Sequence, residues 1–432
     1  MTADTPHRPS GHIPVIPASA ISGAPVTATV APRRRGRIKG LDGPRGLACI
    51  AVLVVHVAAH YSPDTTVASK IGLLGQSLIF FFGLSGFLLF LPFVRALFLG
   101  APKQPDVRQF VIHRLLRIFP VYLVIFLIAN FALQAAYLTN AEKSLVIGSQ
   151  AGTGMITDPW TFIANLFLVQ TYFPSLIQTG VNPSWSLTLE YAFYFALPIV
   201  GALMFALRRR MRWNPVVIGL IPPILFVVIG VAGKVFAYHL AHRAGITDIA
   251  EQNFGANWSA VVLRSFLGGS DAFAFGMAAA VLFVAVEVGP EGSRLGTRLR
   301  RWSVAGLVVS TLAMLALLAL KSNFQVTATG LAAGLFILII VLPLAEGRRS
   351  RMADILDFRP FEYLGKISLG IYLWHFPLLI ALGRWGLLAG DSVGGMLGNL
   401  AIVGVLSVAC AAVTYRFVEE PGLKYARKLR IR

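Results

Sequence analysis

Ten stretches of this sequence are apolar over lengths near or above the ~17–25 residues a helix needs to cross a bilayer. They fall at 44–60, 72–99, 115–138, 185–207, 214–238, 259–286, 303–320, 327–345, 363–383 and 395–417. Inside lipid every backbone N–H and C=O must find its partner within the protein, which leaves apolar stretches of this length one solution, the helix. Composition agrees: of 432 residues, 56% are hydrophobic and 13% charged, against about 25% charged in a soluble domain. The expected fold class is an all-α polytopic membrane protein of about ten transmembrane helices. An eleventh apolar piece, 160–173, is too short to cross comfortably and reads as re-entrant or interfacial.

The net charge of +19 would suit a nucleic-acid partner if it were gathered on one surface. The basic residues instead cluster between the apolar stretches, so the expected partner is the lipid bilayer and not nucleic acid. With ten crossings and a cytoplasmic N-terminus, 31 of the 38 Lys and Arg residues lie inside and 7 outside. An eleventh crossing at 160–173 would switch every later cluster and erase most of that bias. Both termini are therefore expected in the cytoplasm, with the chain multi-pass in the plasma (cytoplasmic) membrane.

Residues 1–40 are expected to form a disordered basic tail, since they lack both an apolar run and the core of a signal peptide. A single transmembrane domain is expected over 41–421 and a short basic cytoplasmic tail over 422–432. The longest outer segments, 139–184 and 239–258, are small for a separate soluble domain. Cys49 and Cys410 both lie in apolar stretches, so neither a disulfide framework nor a metal site is expected.

Ionisable groups inside apolar stretches are costly and mark function by default. Arg45 opens the first stretch and His56 lies eleven residues further in, about 17 Å along a helix. A histidine at that depth reads either as a proton-transfer group or as one hydrogen-bonded between packed helices. In 72–99, Gly83, Ser85 and Gly86 permit close helix packing, and Ser85 reads first as structural because a buried serine can bond to its own helix. Arg114 and Arg117 are three apart and share a helix face; they suit either lipid headgroups or a phosphorylated ligand. Trp185 reads as an interfacial anchor. Glu190, and Asp271 about a dozen residues into its stretch, are intramembrane acids that must find a partner or a proton. The ninth stretch carries Tyr372 and a second deep histidine, His375. The cluster Tyr415-Arg416-Phe417-Val418-Glu419-Glu420-Pro421 reads as a helix end at the headgroups, without chemistry.

These motifs, in this order, resemble the acyltransferase-3 family of integral membrane acyltransferases. The resemblance rests on Leu41-Asp42-Gly43-Pro44-Arg45-Gly46-Leu47-Ala48 leading to His56, Phe81-Phe82-Gly83-Leu84-Ser85-Gly86-Phe87, Arg114-Leu115-Leu116-Arg117, Trp185-Ser186-Leu187-Thr188-Leu189-Glu190, Ile371-Tyr372-Leu373-Trp374-His375 and Phe417-Val418-Glu419-Glu420-Pro421. It departs from the family pattern at Pro44, where leucine is usual; proline is tolerated at a helix start. The resemblance implies transfer of an acyl group, often acetyl, from cytoplasmic acyl-CoA to a carbohydrate or other hydroxyl. It implies no bound cofactor, with acyl-CoA (acetyl-CoA foremost) as co-substrate. Some relatives in the family carry a fused extracytoplasmic esterase-like domain, which is not expected here.

The expected site is His56, Glu190 and Arg45 for the chemistry and Arg114 and Arg117 for the donor. Asp42, Ser85, Trp185, Asp271, Tyr372 and His375 are its substrate-binding or supporting residues. His56 would act as general base on the acceptor hydroxyl, with Glu190 orienting it or holding the acceptor. The acceptor class is a surface or lipid-linked glycan, with a secreted small molecule such as a macrolide as the alternative. A proton-coupled secondary transporter is the rival from another class, against which no inverted repeat is visible.

Overall fold

A computed structural model describes residues 38–141, 151–289 and 292–428. The expected N-terminal tail lies outside the described residues up to position 37, as do the last four residues. The helices that position the site are α1 (Asp42–Tyr61), α2 (Ser77–Phe98), α3 (Val107–Leu127), α4 (Pro159–Leu166), α5 (Trp185–Arg210), α6 (Pro215–Arg243), α7 (Asp271–Val288), α8 (Gly292–Ala319), α9 (Gln325–Ala345), α10 (Arg359–Lys366), α11 (Ser368–Arg384), α12 (Val393–Thr414) and α13 (Glu420–Lys428). Among the described residues nine helical stretches are long and apolar enough to cross a membrane, and α10 with α11 makes a tenth if that bent pair is one span. The chain is a multi-pass, all-α membrane protein.

At the centre α2, α7 and α9 pack on one another, with α6 against α7 and α1 against α2, α11 and α12. The centre is distinguished by burial: 72% of the apolar window of α7 is buried, against 11% for α8, which leans on α9 at the periphery. Glycine permits the close crossing of α2 and α7. A Cβ at Gly86 of α2 would collide with the Phe273 carbonyl, and one at Gly276 of α7 with the Gly83 carbonyl. Without those side chains the two backbones come into contact, which is how apolar helices gain dispersion energy in lipid. A two-residue ribbon, β1 (Ala136–Tyr137) with β2 (Thr153–Gly154), runs antiparallel in the loop region after α3.

The structure keeps 160–173 short, as expected, and revises several of the expected spans. The piece 160–173 is the eight-residue α4 followed by a 3₁₀ turn at Gln170–Tyr172, and α4 is too short to cross. The stretch 259–286 is broken: a short helix ends at Arg264, Ser265 is extended, and the crossing helix α7 starts only at Asp271. The break lies at Ser265, whose hydroxyl accepts from the Leu267 N–H and caps the four-residue helix Phe266–Gly269 that leads into α7. The stretch 363–383 is not one straight helix, because α10 and α11 meet at Ile367 with a 70° bend. The third span starts earlier than its hydropathy suggests, at Val107, where the Asp106 side chain accepts from the Gln109 N–H at 2.8 Å. The last span does not end at Tyr415–Pro421. It passes through a π-helical turn, Tyr415–Glu419, into α13, which docks on α3 where His113 Nε2 donates to the Ala426 carbonyl at 2.7 Å. The expected tail boundary at 421 falls inside that helix.

Candidate active site

A cavity of about 290 Å³ opens within the bundle between α1, α2, α3, α5 and α11. Its apolar wall includes Phe81, Phe82, Leu88, Leu187 and Leu369; its polar lining is Arg45, Ser85, Arg114, Arg117, Ser186, Glu190, Tyr194, Ser368 and Tyr372. Six residues singled out in sequence thus meet in one place: Arg45, Ser85, Arg114, Arg117, Glu190 and Tyr372. The early start of α3 matters here. Arg114 and Arg117 lie seven and ten residues past Val107, about 10 and 15 Å along the helix, and so stand inside the bundle and not at the helix mouth.

Three guanidiniums face one carboxylate across this cavity. Arg45 Nη1 lies 3.4 Å from Asp42 Oδ1, one turn back on α1, which gives Asp42 its place behind the cavity. Glu190 accepts from the Ser85 hydroxyl at 2.9 Å and is within electrostatic reach of Arg45 and Arg114. Ser85 is therefore bonded across to α5 and not to its own helix, contrary to the expectation. Arg114 carries a buried Nε with no hydrogen-bond partner among the described residues. A buried donor without a partner costs ~1–3 kcal/mol, more when charged, and an anionic ligand would recover that cost.

Sequence reasoning missed a second carboxylate. Glu419, 3% exposed, projects from the π-helical turn towards the same cluster, within electrostatic reach of Arg117 and Arg45. In sequence its motif reads as a helix end. The signal that could have found it is a carboxylate one residue before Glu420-Pro421 in a span that keeps its helix through the motif; π turns are frequent at functional sites. Tyr194, and Ser186 within its motif, were not singled out either.

The two histidines are not in the cavity. His56 Nδ1 lies 2.8 Å from His375 Nε2, so of the two roles open to Glu190, orienting His56 falls to His375 and holding the acceptor is left. Tyr372 stands between: it lines the cavity, and its ring centre is 5.9 Å from that of His375, three residues on along α11. The Tyr372 hydroxyl donates to the Pro183 carbonyl at 3.0 Å and shares a 2.8 Å hydrogen bond with Ser186 Oγ. These bonds hold α11 to the start of α5, with Tyr372 on the cavity wall and His375 one turn further along the same helix.

Two expected supporting residues lie elsewhere. Trp185 is buried, not an exposed anchor, and the Arg264 guanidinium covers its ring at 4.4 Å. Asp271 is the first residue of α7, not a residue deep within a span. It pairs with Lys234 at 2.6 Å, both side chains buried, and accepts from Thr327 at 2.5 Å. Such a satisfied pair needs no ligand. Among the described residues no group of three His, Cys, Asp or Glu side chains could hold a metal ion.

The sequence model of the acyltransferase domain, Acyl_transf_3, matches residues 38–416. Acyltransferase MdmB of Streptomyces mycarofaciens is 33% identical over 189 residues, 42% of this chain and 44% of that protein. Peptidoglycan O-acetyltransferase OatA of Listeria monocytogenes is 24% identical over 354 residues, 80% of this chain and 50% of that protein. O-acetyltransferase OatA of Staphylococcus aureus is 23% identical over 388 residues, 89% and 57%. The matches thus span about half the length of these relatives. No solved structure matches.

Proposed function

This chain belongs to the Acyl_transf_3 family and is a membrane acyltransferase, and from that premise we propose that it moves an acyl group, acetyl foremost, from cytoplasmic acyl-CoA to a hydroxyl of an extracytoplasmic or lipid-linked glycan. The observation that carries the donor assignment is the convergence of Arg45, Arg114 and Arg117 on one cavity with the Arg114 Nε unpartnered. Guanidiniums bind phosphate oxygens in short, charge-assisted pairs. The cavity, at about 290 Å³, is at the lower limit of ligand sites. It suits an acyl-pantetheine arm, leaving the nucleotide of CoA at the mouth.

In this reading the thioester passes Tyr372 to reach the histidine pair. His56 takes the proton from the acceptor hydroxyl as its oxygen attacks the thioester carbonyl; the C–S bond breaks and the CoA thiolate takes the proton back from His56. The 31-to-7 division of Lys and Arg supports cytoplasmic termini in the plasma membrane, which puts the arginine end on the acyl-CoA side. The glycan acceptor takes support from the relatives named peptidoglycan O-acetyltransferase. A second acceptor class, a secreted small molecule such as a macrolide, rests on the 33% identical relative whose name carries no glycan.

The test is acetyl-CoA consumption by purified protein in lipid nanodiscs, read as thiol release, with peptidoglycan fragments or a macrolide as acceptor. Acceptor-dependent release is expected, and the active acceptor decides between the two classes. Proton flux in vesicles without thiol release under any acceptor would replace the enzyme reading of this site by the transporter reading.

A further inference from the structure

The histidine pair specifies which nitrogen does the chemistry. The two rings are parallel to within 2°, with centroids 5.1 Å apart and His56 Nδ1 2.8 Å from His375 Nε2. Rings stacked face to face could not have one pair of nitrogens so much closer than their centres. The contact therefore runs edge to edge in a common plane, as a hydrogen bond requires. One of these two nitrogens carries the proton. The far side of His375 decides which: its Nδ1 lies 3.3 Å from the Ile371 carbonyl, one turn back on α11. A carbonyl only accepts, so His375 Nδ1 holds the hydrogen. A neutral imidazole has one N–H, which leaves His375 Nε2 bare and makes His56 Nδ1 the donor. His56 has then used its single proton, and its Nε2 keeps a lone pair. No described residue hydrogen-bonds that Nε2, and His56 is half-buried while His375 is 0% exposed.

We propose that His375 is a positioning residue that holds His56 as the Nδ1–H tautomer, so that His56 Nε2 is the atom that takes the acceptor's proton. The assignment rests on the reading of His56 as general base given above. It also removes His375 as a rival base, because both its nitrogens are occupied. When Nε2 of His56 is protonated, the Nδ1–H bond to His375 becomes charge-assisted and shares the new charge. The proton balance is that of the transfer itself: the acceptor O–H breaks, the O–acyl bond forms, the C–S bond breaks, and the proton on Nε2 leaves with the CoA thiol. A second histidine thus fills the place that a carboxylate holds behind many catalytic histidines, a choice suited to a low-dielectric interior where an unpaired carboxylate is costly.

The experiment is ¹⁵N solid-state NMR of histidine-labelled protein in lipid, joined to kinetics. The expected wild-type spectrum shows His56 protonated at Nδ1 and bare at Nε2. His375→Leu removes the acceptor; the tautomer preference should vanish and kcat fall about 10²-fold, with the KM for acetyl-CoA unchanged. His375→Gln, whose carbonyl oxygen can stand where Nε2 stood, should restore turnover to within about tenfold of wild type by the same hydrogen bond. Wild-type His56 protonated at Nε2 would overturn the proposal, even if neither variant folded. So would His375→Leu with undiminished kcat. The stated wild-type spectrum with full turnover in His56→Ala would instead strike the base assignment beneath it, and the two failures are distinguishable because the spectrum is read without turnover.

Discussion

The Ser85 hydroxyl donates to Glu190 Oε1 at 2.9 Å, tying α2 to α5 inside the arginine cavity. One carboxylate is thereby fixed among three guanidiniums, with Asp42 on Arg45 and Glu419 within electrostatic reach of Arg117 and Arg45 as the cluster's other acids; removing the Glu190 charge shifts the balance towards a polyanionic donor. Glu190→Gln should keep or tighten CoA binding while transfer falls at least tenfold, and Ser85→Ala should lower transfer by about tenfold or more, a hydrogen bond to a charged group being worth ~1.5–3 kcal/mol. Titration calorimetry with CoA and thiol-release kinetics check both. Loss of CoA binding in Glu190→Gln would mean that the carboxylate organises the arginines and does not counter them.

Lys234 and Asp271 should behave as a structural pair. Asp271→Asn strands a buried ammonium, and Lys234→Met a buried carboxylate; breaking such a pair costs ~3–5 kcal/mol. The double variant Lys234→Met/Asp271→Leu should recover most of the loss. Thermal unfolding in detergent measures this, and turnover per folded molecule should match wild type in the double variant. An inactive but stable double variant would return Asp271 to the site.

What the sequence made legible, and what it hid, follow from the same physics. Lipid forces long apolar helices, so the spans could be read by length; the bend at Ile367 and the break at Ser265 could not, because hydropathy averages across a turn. Arg114 and Arg117 shared a face as their spacing required. Arg45 and His56 are eleven apart, about three turns at 3.6 residues per turn, and so face the same side of α1. Depth parts them: Arg45 meets the cavity and His56 meets α11 three turns on. No spacing rule carries that, because it depends on where Tyr372 stands on the cavity wall. Glu419 was hidden by its charged neighbours, which make a continuing helix read as an end.

Membrane sidedness can be probed across α4. With native Cys49 and Cys410 replaced by serine, single cysteines at Met155 and Ser175, both exposed, should react with a membrane-impermeant maleimide from the outside of intact cells. Labelling of the two from opposite sides would make 160–173 a crossing and reverse every later loop.

The pH profile reads the base. A histidine must be neutral to accept a proton, so kcat/KM should fall as pH drops through one ionisation; free histidine titrates near ~6.5. The paired rings favour a single step, since a second proton would set N–H against N–H. A kcat/KM that rises as pH falls would be inconsistent with a histidine base.

The donor assignment is tested most directly by titrating CoA onto purified protein in nanodiscs. Wild type should bind with an affinity that falls with added salt. Arg114→Gln should bind at least about tenfold more weakly, as expected for loss of a charge-assisted pair of ~1.5–3 kcal/mol, and His56→Ala should bind as wild type does. Equal CoA affinity in all three proteins, or loss of binding in His56→Ala alone, would contradict the account.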